Sequence, residues 1–204
     1  MSYPDCFLIL DLQNDLCHPE GVYAKHGLMP SHVPGVLPNV VNMIRFCKEH
    51  KIPTIALQLT VITDINGDSL GLGSSRKLRP FLEKEGFREN TWGHDLLEEL
   101  GEVDYRVRKW CMSPFYQTEL DRYLFALGVN TVLLSGFTTN GSVESCAREA
   151  LGRCLNTITL TDCVTSYSES LHKASITNLG AFGQIMKSTE WMGNYRDAHM
   201  EKLI

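Results

Sequence analysis

Short apolar runs alternate with amphipathic segments along most of the chain. The runs at 7–10 and 131–134 have strand length and lack polar alternation, which is typical of strands buried on both faces. Between such runs, Val36, Val40, Ile44 and Cys47 recur at spacings of three and four, which predicts an amphipathic helix. This alternation predicts a three-layer α/β/α fold with a mostly parallel sheet of about six strands.

Turn residues and capping residues divide the chain into further elements. Strands are predicted at 7–10, 54–60, 104–109, 131–135, 155–160 and 184–186, with main helices at 35–50, 118–127, 142–151 and 169–179. Residues 61–93 are the least regular part, with five glycines and one short helix expected at 78–85. A loop of this length in a compact domain is usually functional or mobile.

Length and composition narrow the class of protein. The 204 residues fit a single domain, 1–204, and 43% hydrophobic with 21% charged residues excludes a disordered chain. No apolar run approaches the ~18 residues of a membrane-spanning helix. A net charge of −5 without a basic run disfavours nucleic acid or a membrane surface as partner. Seven scattered cysteines and an N-terminus without a basic segment favour free thiols in the cytoplasm.

Three reactive side chains follow predicted strands. Asp11 ends the first strand, Lys109 ends the third, and Ser142 follows the fourth. Ligands of parallel sheets bind at the carboxyl ends of the strands, so these groups meet if the strand order allows it. Ser142 falls in the first turn of a predicted helix, where free backbone N–H groups favour a developing oxyanion.

The segments around these residues carry a family resemblance. The sequence resembles the isochorismatase-like hydrolases, which include nicotinamidases and N-carbamoylsarcosine amidases, over about residues 5–190. The matching segments are residues 8–15 (LILDLQND), 109–115 (KWCMSPF) and 136–150 (GFTTNGSVESCAREA), with Asp162 and His172 at later family positions. The resemblance implies a catalytic triad of Asp11, Lys109 and position 142 in an acyl transfer that hydrolyses a small amide or ureide. It also implies an oxyanion hole of the Thr138 and residue-142 backbone N–H groups, and a cis peptide bond at Phe137–Thr138.

Position 142 departs from the family pattern. Ser142 stands where the family has its nucleophilic cysteine, and Cys146, four residues later, is expected to be a small buried residue. Ser142 has three interpretations: an engineered substitution that traps substrate, a natural serine variant, or a branch without a nucleophile. True isochorismatases belong to the last type, since they protonate a vinyl ether with the Asp. A non-catalytic binding protein on the same fold is a further alternative.

Other polar and aromatic residues flank these segments. The predicted substrate-binding residues are Gln13, Trp92, Trp110, Phe115, Phe137 and Asn140. Arg76 and Arg79 can bind a carboxylate through two hydrogen bonds, although a solvated surface is the more common place for such residues. The substrate is therefore expected to be a small molecule. The resemblance implies a homo-oligomer, dimer or tetramer, with segment 61–93 closing the pocket against a neighbouring subunit.

The histidine pattern disfavours a metal. Nicotinamidases carry an Asp-x-His segment and further histidines after the second strand, whereas this stretch, residues 58–64, contains none. The histidines at 18, 26, 32 and 94 do not have the spacing of metal ligands. The sequence therefore predicts neither a metal nor a cofactor.

Overall fold

Within residues 5–30 and 32–200, which the computed structural model describes, six strands form one entirely parallel sheet. The strands are β1 (Asp5–Leu10), β2 (Thr54–Leu59), β3 (Tyr105–Lys109), β4 (Thr131–Phe137), β5 (Asn156–Thr165) and β6 (Gln184–Met186). Their order across the sheet is β3-β2-β1-β4-β5-β6. The chain runs outward from β1 to β3 and then returns to β4, so the order reverses between β1 and β4. Such a reversal opens a crevice at the carboxyl ends of the two strands.

Helices cover both faces of this sheet. They are α1 (Asn14–Cys17), α2 (Val22–Lys25), α3 (Val33–His50), α4 (Ser75–Leu78), α5 (Leu120–Ala126), α6 (Glu144–Gly152), α7 (Glu169–Leu179) and α8 (Ser188–Met200). In the part of the chain that the structure describes, no helix is both long enough and apolar enough to cross a lipid bilayer.

Alternate residues of β1 belong to two separate cores. Phe7 and Ile9 pack with residues of α3 and α8, whereas Leu8 and Leu10 pack with residues of α5 and α6. All four side chains are fully buried. This burial on both faces explains the continuous apolar run and confirms the predicted three-layer α/β/α fold.

Several predicted element ends are wrong, and two of them lie close to the carboxyl edge of the sheet. β5 does not stop at Leu160 but continues to Thr165, because Val164 and Thr165 pair with Gly136 and Phe137 of β4. The Asp162 side chain accepts hydrogen bonds from the backbone N–H and the hydroxyl of Ser188. The helix after β4 starts at Glu144 rather than Ser142, because a π-helical turn, Thr139–Val143, comes first. Both differences arise from contacts that the local sequence pattern does not contain.

The end of β4 depends on a glycine. The pairing of β4 with β5 shifts register between Leu134 and Gly136, and Gly136 has a φ of 112°. A Cβ atom there would lie 2.1 Å from the backbone oxygen of Leu10, so only glycine fits. The Phe137–Thr138 peptide bond that follows is cis, as the resemblance implied.

Segment 61–93 folds without a long helix. It contains α4 and a 3-10 turn, Pro80–Glu83, instead of the helix predicted at 78–85. The buried carboxylate of Asp15 accepts the backbone N–H groups of Val22 and Phe87, which fixes the end of the segment against α2. The outer ends of the predicted domain, 1–4 and 201–204, lie outside the described residues, as does most of the N-terminal segment used to predict a cytoplasmic location.

Candidate active site

Asp11, Lys109 and Ser142 meet at the crevice between β1 and β4. Lys109 Nζ lies 2.8 Å from Asp11 Oδ2 and 3.0 Å from Ser142 Oγ, and it also donates to the Cys111 carbonyl at 2.8 Å. The Ser142 hydroxyl donates to the same Asp11 oxygen, Oδ2. All three side chains of this cluster are buried. The structure therefore brings together the three residues that the sequence places after separate strands.

The second carboxylate oxygen of Asp11 is unused. Among the described residues, buried Oδ1 has no hydrogen-bond partner. Burial raises the pKa of the Asp11 carboxyl, and the charge of Lys109 together with the hydrogen bonds from Lys109 and Ser142 opposes this rise. A buried carboxyl group with a raised pKa and a free oxygen is suited to accept and return a proton.

The turn that carries Ser142 is held from its outer side. Thr139 Oγ1 lies 2.8 Å from His172 Nδ1, and the Ser166 hydroxyl donates to Asn140 Oδ1 at 2.6 Å. Inside the turn, a Cβ at Gly141 would lie 2.3 Å from Thr138 Oγ1, so a larger residue there would displace the Thr138 side chain. These contacts fix the position of the Ser142 side chain.

The three residues lie in a cavity of about 500 Å³. Its wall is mostly apolar, and segment 61–93 contributes much of it. Aromatic and aliphatic side chains of the wall include Tyr23, Leu72, Leu78, Trp110, Phe137 and Tyr167. Segment 61–93 therefore forms part of the pocket wall within one chain. A contribution from a neighbouring subunit stays a prediction.

Two of the six predicted substrate-binding residues, Trp110 and Phe137, lie in this wall, and so does Thr138. The structure places the other four elsewhere. Gln13 is fully buried and hydrogen-bonds backbone groups of Leu59 and His94, and Phe115 is packed in the core under the Arg153 guanidinium.

Trp92 and Asn140 are the remaining two. Trp92 is half exposed and contacts His18 edge to face at the border of a separate groove. Asn140 is exposed, and its side-chain oxygen accepts the Ser166 hydroxyl. Both were predicted because they neighbour the catalytic segments, but their side chains lie outside the cavity wall.

Sequence reasoning missed several wall residues. Tyr23 lies in the four-residue helix α2 and Tyr167 in the connection between β5 and α7. Neither segment has a periodic pattern that would indicate a function. The expectation of a solvated surface holds for Arg76, which pairs with Glu83. Arg79 is also partly exposed, but it lies in the cavity wall as well.

Two remaining predictions at the site concern Cys146 and a metal ion. Cys146 is fully buried, as predicted, and burial raises the pKa of its thiol well above the ordinary value. In residues 5–30 and 32–200, no three His, Cys, Asp or Glu side chains are close enough to hold a metal ion. The predicted absence of a metal stays a prediction.

A buried Asp–Lys pair that binds a serine hydroxyl lies here at the carboxyl edge of a parallel sheet, which is where ligands bind in such folds. The family model described as isochorismatase domain matches residues 5–190. The protein therefore belongs to the isochorismatase family and is a hydrolase.

Individual relatives agree with this membership. The chain is 26% identical over 194 residues to the ureidoacrylate amidohydrolase RutB of Methylobacterium radiotolerans, covering 86% of this chain and 72% of that protein. It is 26% identical over 180 residues to nicotinamidase 3 of Arabidopsis thaliana, covering 86% and 80%. A 73-residue stretch is 38% identical to the uncharacterized isochorismatase family protein YwoC of Bacillus subtilis, covering 36% of this chain and only 39% of that protein.

Solved structures share the fold. An isochorismatase-like hydrolase from Alkaliphilus metalliredigens superimposes with a TM-score of 0.79 at 25% identity, covering 94% of this chain and 99% of that one. The N-carbamoylsarcosine amidase of Thermoplasma acidophilum gives a TM-score of 0.73 at 20% identity, covering 91% and 96%.

Proposed function

We propose that the protein hydrolyses the C–N bond of a small-molecule amide or ureide. The observation that carries the proposal is that one carboxylate oxygen, Asp11 Oδ2, binds both Lys109 Nζ and the Ser142 hydroxyl at the wall of a cavity. The names of relatives support the bond type, since they include a ureidoacrylate amidohydrolase and a nicotinamidase.

In the proposed first step, Asp11 accepts the hydroxyl proton of Ser142 while Oγ attacks the carbonyl carbon of the substrate. Lys109 donates a hydrogen bond to Ser142 Oγ and stabilises the negative charge that develops there. The oxyanion is received by the backbone N–H groups of Thr138 and Ser142, two residues of the cavity wall.

In the second step, the tetrahedral intermediate collapses. Asp11 returns its proton to the leaving nitrogen, the C–N bond breaks, and ammonia or an amine departs. Water then attacks the acyl ester on position 142, with Asp11 as base, and releases a carboxylic acid.

The residue at position 142 limits this chemistry. A serine hydroxyl ionises far less readily than a thiol, so the same neighbours activate it less. We therefore propose that Ser142 replaces the thiol nucleophile and that the chain with serine is slow or inactive.

Substitution of the nucleophile tests the proposal. Ser142→Cys should raise ammonia release from at least one small amide or ureide by about 100-fold or more, because a thiolate is the better nucleophile. The matched control is Ser145→Cys, one turn further along in α6 and outside the cavity wall, which should give no gain. The same rate for both cysteine variants on every substrate would contradict the proposal.

A second candidate is hydrolysis of a vinyl ether, favoured by the raised pKa of Asp11. A protonated Asp11 would add its proton to the terminal vinyl carbon, water would add to the neighbouring carbon, and the hemiketal would release an alcohol and a carbonyl compound. In that case Ser142→Ala stays active and Asp11→Asn does not. Loss of activity in Ser142→Ala would exclude this candidate.

A further inference from the structure

A second depression adjoins the cavity that holds the catalytic cluster. This side groove has a volume of about 280 Å³. Five of its lining residues also line the cavity, so the two spaces share one border: Val61, Gly71, Leu72, Trp110 and Cys111. A Cβ atom at Gly71 would have no atom of a non-adjacent residue within 4 Å, so the backbone borders open space at this point. A ligand bound in the cavity therefore reaches the side groove by crossing this border.

The border lies next to Lys109, which binds both Asp11 and Ser142. The Cys111 carbonyl accepts a hydrogen bond from Lys109 Nζ at 2.8 Å. The backbone N–H of Thr60, another lining residue of the side groove, donates to the Lys109 carbonyl at 2.8 Å. The side groove therefore begins beside the catalytic cluster, within reach of a group attached directly to the reacting carbonyl or to its nitrogen.

The lining of the side groove is apolar in its chemistry. None of its described lining residues is Asp, Glu, Lys, Arg or His. The Thr60 hydroxyl lies 2.8 Å from His94 Nε2, and the Trp110 indole N–H donates to the Gln117 carbonyl at 3.0 Å. Because these polar groups already have partners, a polar ligand would gain few hydrogen bonds there. Apolar contact is the main interaction that the side groove offers a ligand.

Three large apolar side chains of the side groove are exposed to solvent. Ile62, Leu70 and Tyr116 are 49%, 51% and 58% exposed. The backbone that carries the first two is held in place, since the Leu70 N–H donates to the Ile62 carbonyl at 2.8 Å. Thr63 and Ser69 pair in an antiparallel bridge just beyond them. Exposed apolar surface in a preformed groove beside a reaction site favours burial by an apolar part of a ligand.

We propose that the side groove binds an apolar chain of the substrate, attached to the carbonyl carbon or to the nitrogen of the scissile C–N bond. The substrate class is then an amide with an alkyl chain of medium length. Its polar end lies at Ser142, and its chain crosses Trp110 toward Leu70. This inference rests on the proposed function for the scissile bond, whereas the side groove itself rests on its position and its apolar lining.

Two homologous series of amides test the side groove without turnover. Butanamide, hexanamide and octanamide carry the chain on the carbonyl, and N-butyl-, N-hexyl- and N-octylacetamide carry it on the nitrogen. Calorimetric titration of the protein with Ser142 in place should show affinity rising about threefold per buried methylene in at least one series. The series that rises more steeply identifies the side of the bond that carries the chain. Affinity independent of chain length in both series, including no measurable binding, overturns the inference.

Substitutions assign the effect to the side groove. Leu70→Asp places a charge in the groove but outside the cavity wall, so it should weaken binding of the longest amide about tenfold or more and leave the shortest unchanged. Leu151→Asp is the matched control, because Leu151 is also 51% exposed and lines neither space. Tyr116→Ser, in the segment after β3, should also reduce the dependence on chain length.

Thermal melting of each variant confirms that it folds, and Tyr116→Ser provides the measurement if Leu70→Asp does not. A dependence on chain length that survives every folded variant of the side groove overturns the assignment. An equal loss of octanamide affinity in Leu151→Asp also overturns it.

Release of ammonia or alkylamine in the Ser142→Cys background separates the two proposals. If all members of both series are hydrolysed with equal kcat/KM and Leu70→Asp changes none of them, the side groove is wrong and the amidohydrolase stands. If chain length controls binding while no amide or ureide is hydrolysed, the side groove stands and the proposed reaction is wrong.

Discussion

Lys109 Nζ lies 2.8 Å from Asp11 Oδ2 although the two side chains are only 1% and 5% exposed. Removing two charges from water costs several kcal/mol, so a buried ion pair is weak evidence for stability. The pair lies beside a cavity and binds Ser142, which is better explained by a chemical role than by a contribution to folding.

Loss of Lys109 should destabilise the protein. Lys109→Met leaves the buried Asp11 carboxylate without its cation, and we expect a loss of about 3–5 kcal/mol in the free energy of unfolding at pH 7. Asp11→Asn combined with Lys109→Met should recover most of this loss. Urea denaturation measures both effects, and equal stability of the two variants would contradict the buried ion pair.

The raised pKa of Asp11 should appear in the pH dependence of activity. The proposed first step needs ionised Asp11, so kcat/KM of Ser142→Cys should fall as the pH drops through the pKa of this carboxyl. Because burial raises that pKa, the fall should occur above about pH 4, the ordinary value for an aspartate. Measurement of kcat/KM between pH 4 and 9 shows the midpoint. A constant kcat/KM down to pH 4 would exclude Asp11 as a base with a raised pKa.

Gly136 should not tolerate a side chain. Gly136→Ala places a Cβ 2.1 Å from the Leu10 oxygen at a φ of 112°, and we expect a loss of about 2 kcal/mol or more in stability, or failure to fold. The control is Gly152→Ala at the exposed end of α6, where no atom lies within 4 Å of the added Cβ. Thermal melting compares the two, and similar Tm values would show that β4 can adjust.

Gln13 should contribute to stability rather than to substrate binding. Its amide donates to the Leu59 and His94 carbonyls and accepts the Leu59 N–H at 2.7 Å. Gln13→Ala leaves these buried groups unpaired, and we expect a loss of about 2–4 kcal/mol in the free energy of unfolding with little change in KM. A rise in KM at unchanged stability would restore the original prediction of substrate contact.

Two further expectations from the sequence stay predictions. These are a homo-oligomer, which light scattering tests, and a cytoplasmic location, which fractionation of the source cells tests. Neither follows from the geometry of one chain.

The local sequence pattern determined the layers of this protein and the ends of the strands that carry reactive groups. A continuous apolar run predicts a strand buried on both faces, and β1 is such a strand. Asp11 follows the end of this run, and Lys109 is the last residue of the shorter and more polar strand β3. Hydrophobic periodicity and turn residues act over a few neighbouring positions, so they are readable without the fold.

The tertiary structure decided which groups meet and what surrounds them. The order β3-β2-β1-β4-β5-β6 brings Asp11 beside Ser142, and a strand order depends on long-range pairing that no local pattern contains. The same holds for segment 61–93, whose irregular backbone turns Arg79 into the cavity wall but leaves Arg76 paired with Glu83 at the surface. Two arginines three residues apart are equivalent in the sequence, and only packing of the segment against the sheet distinguishes them.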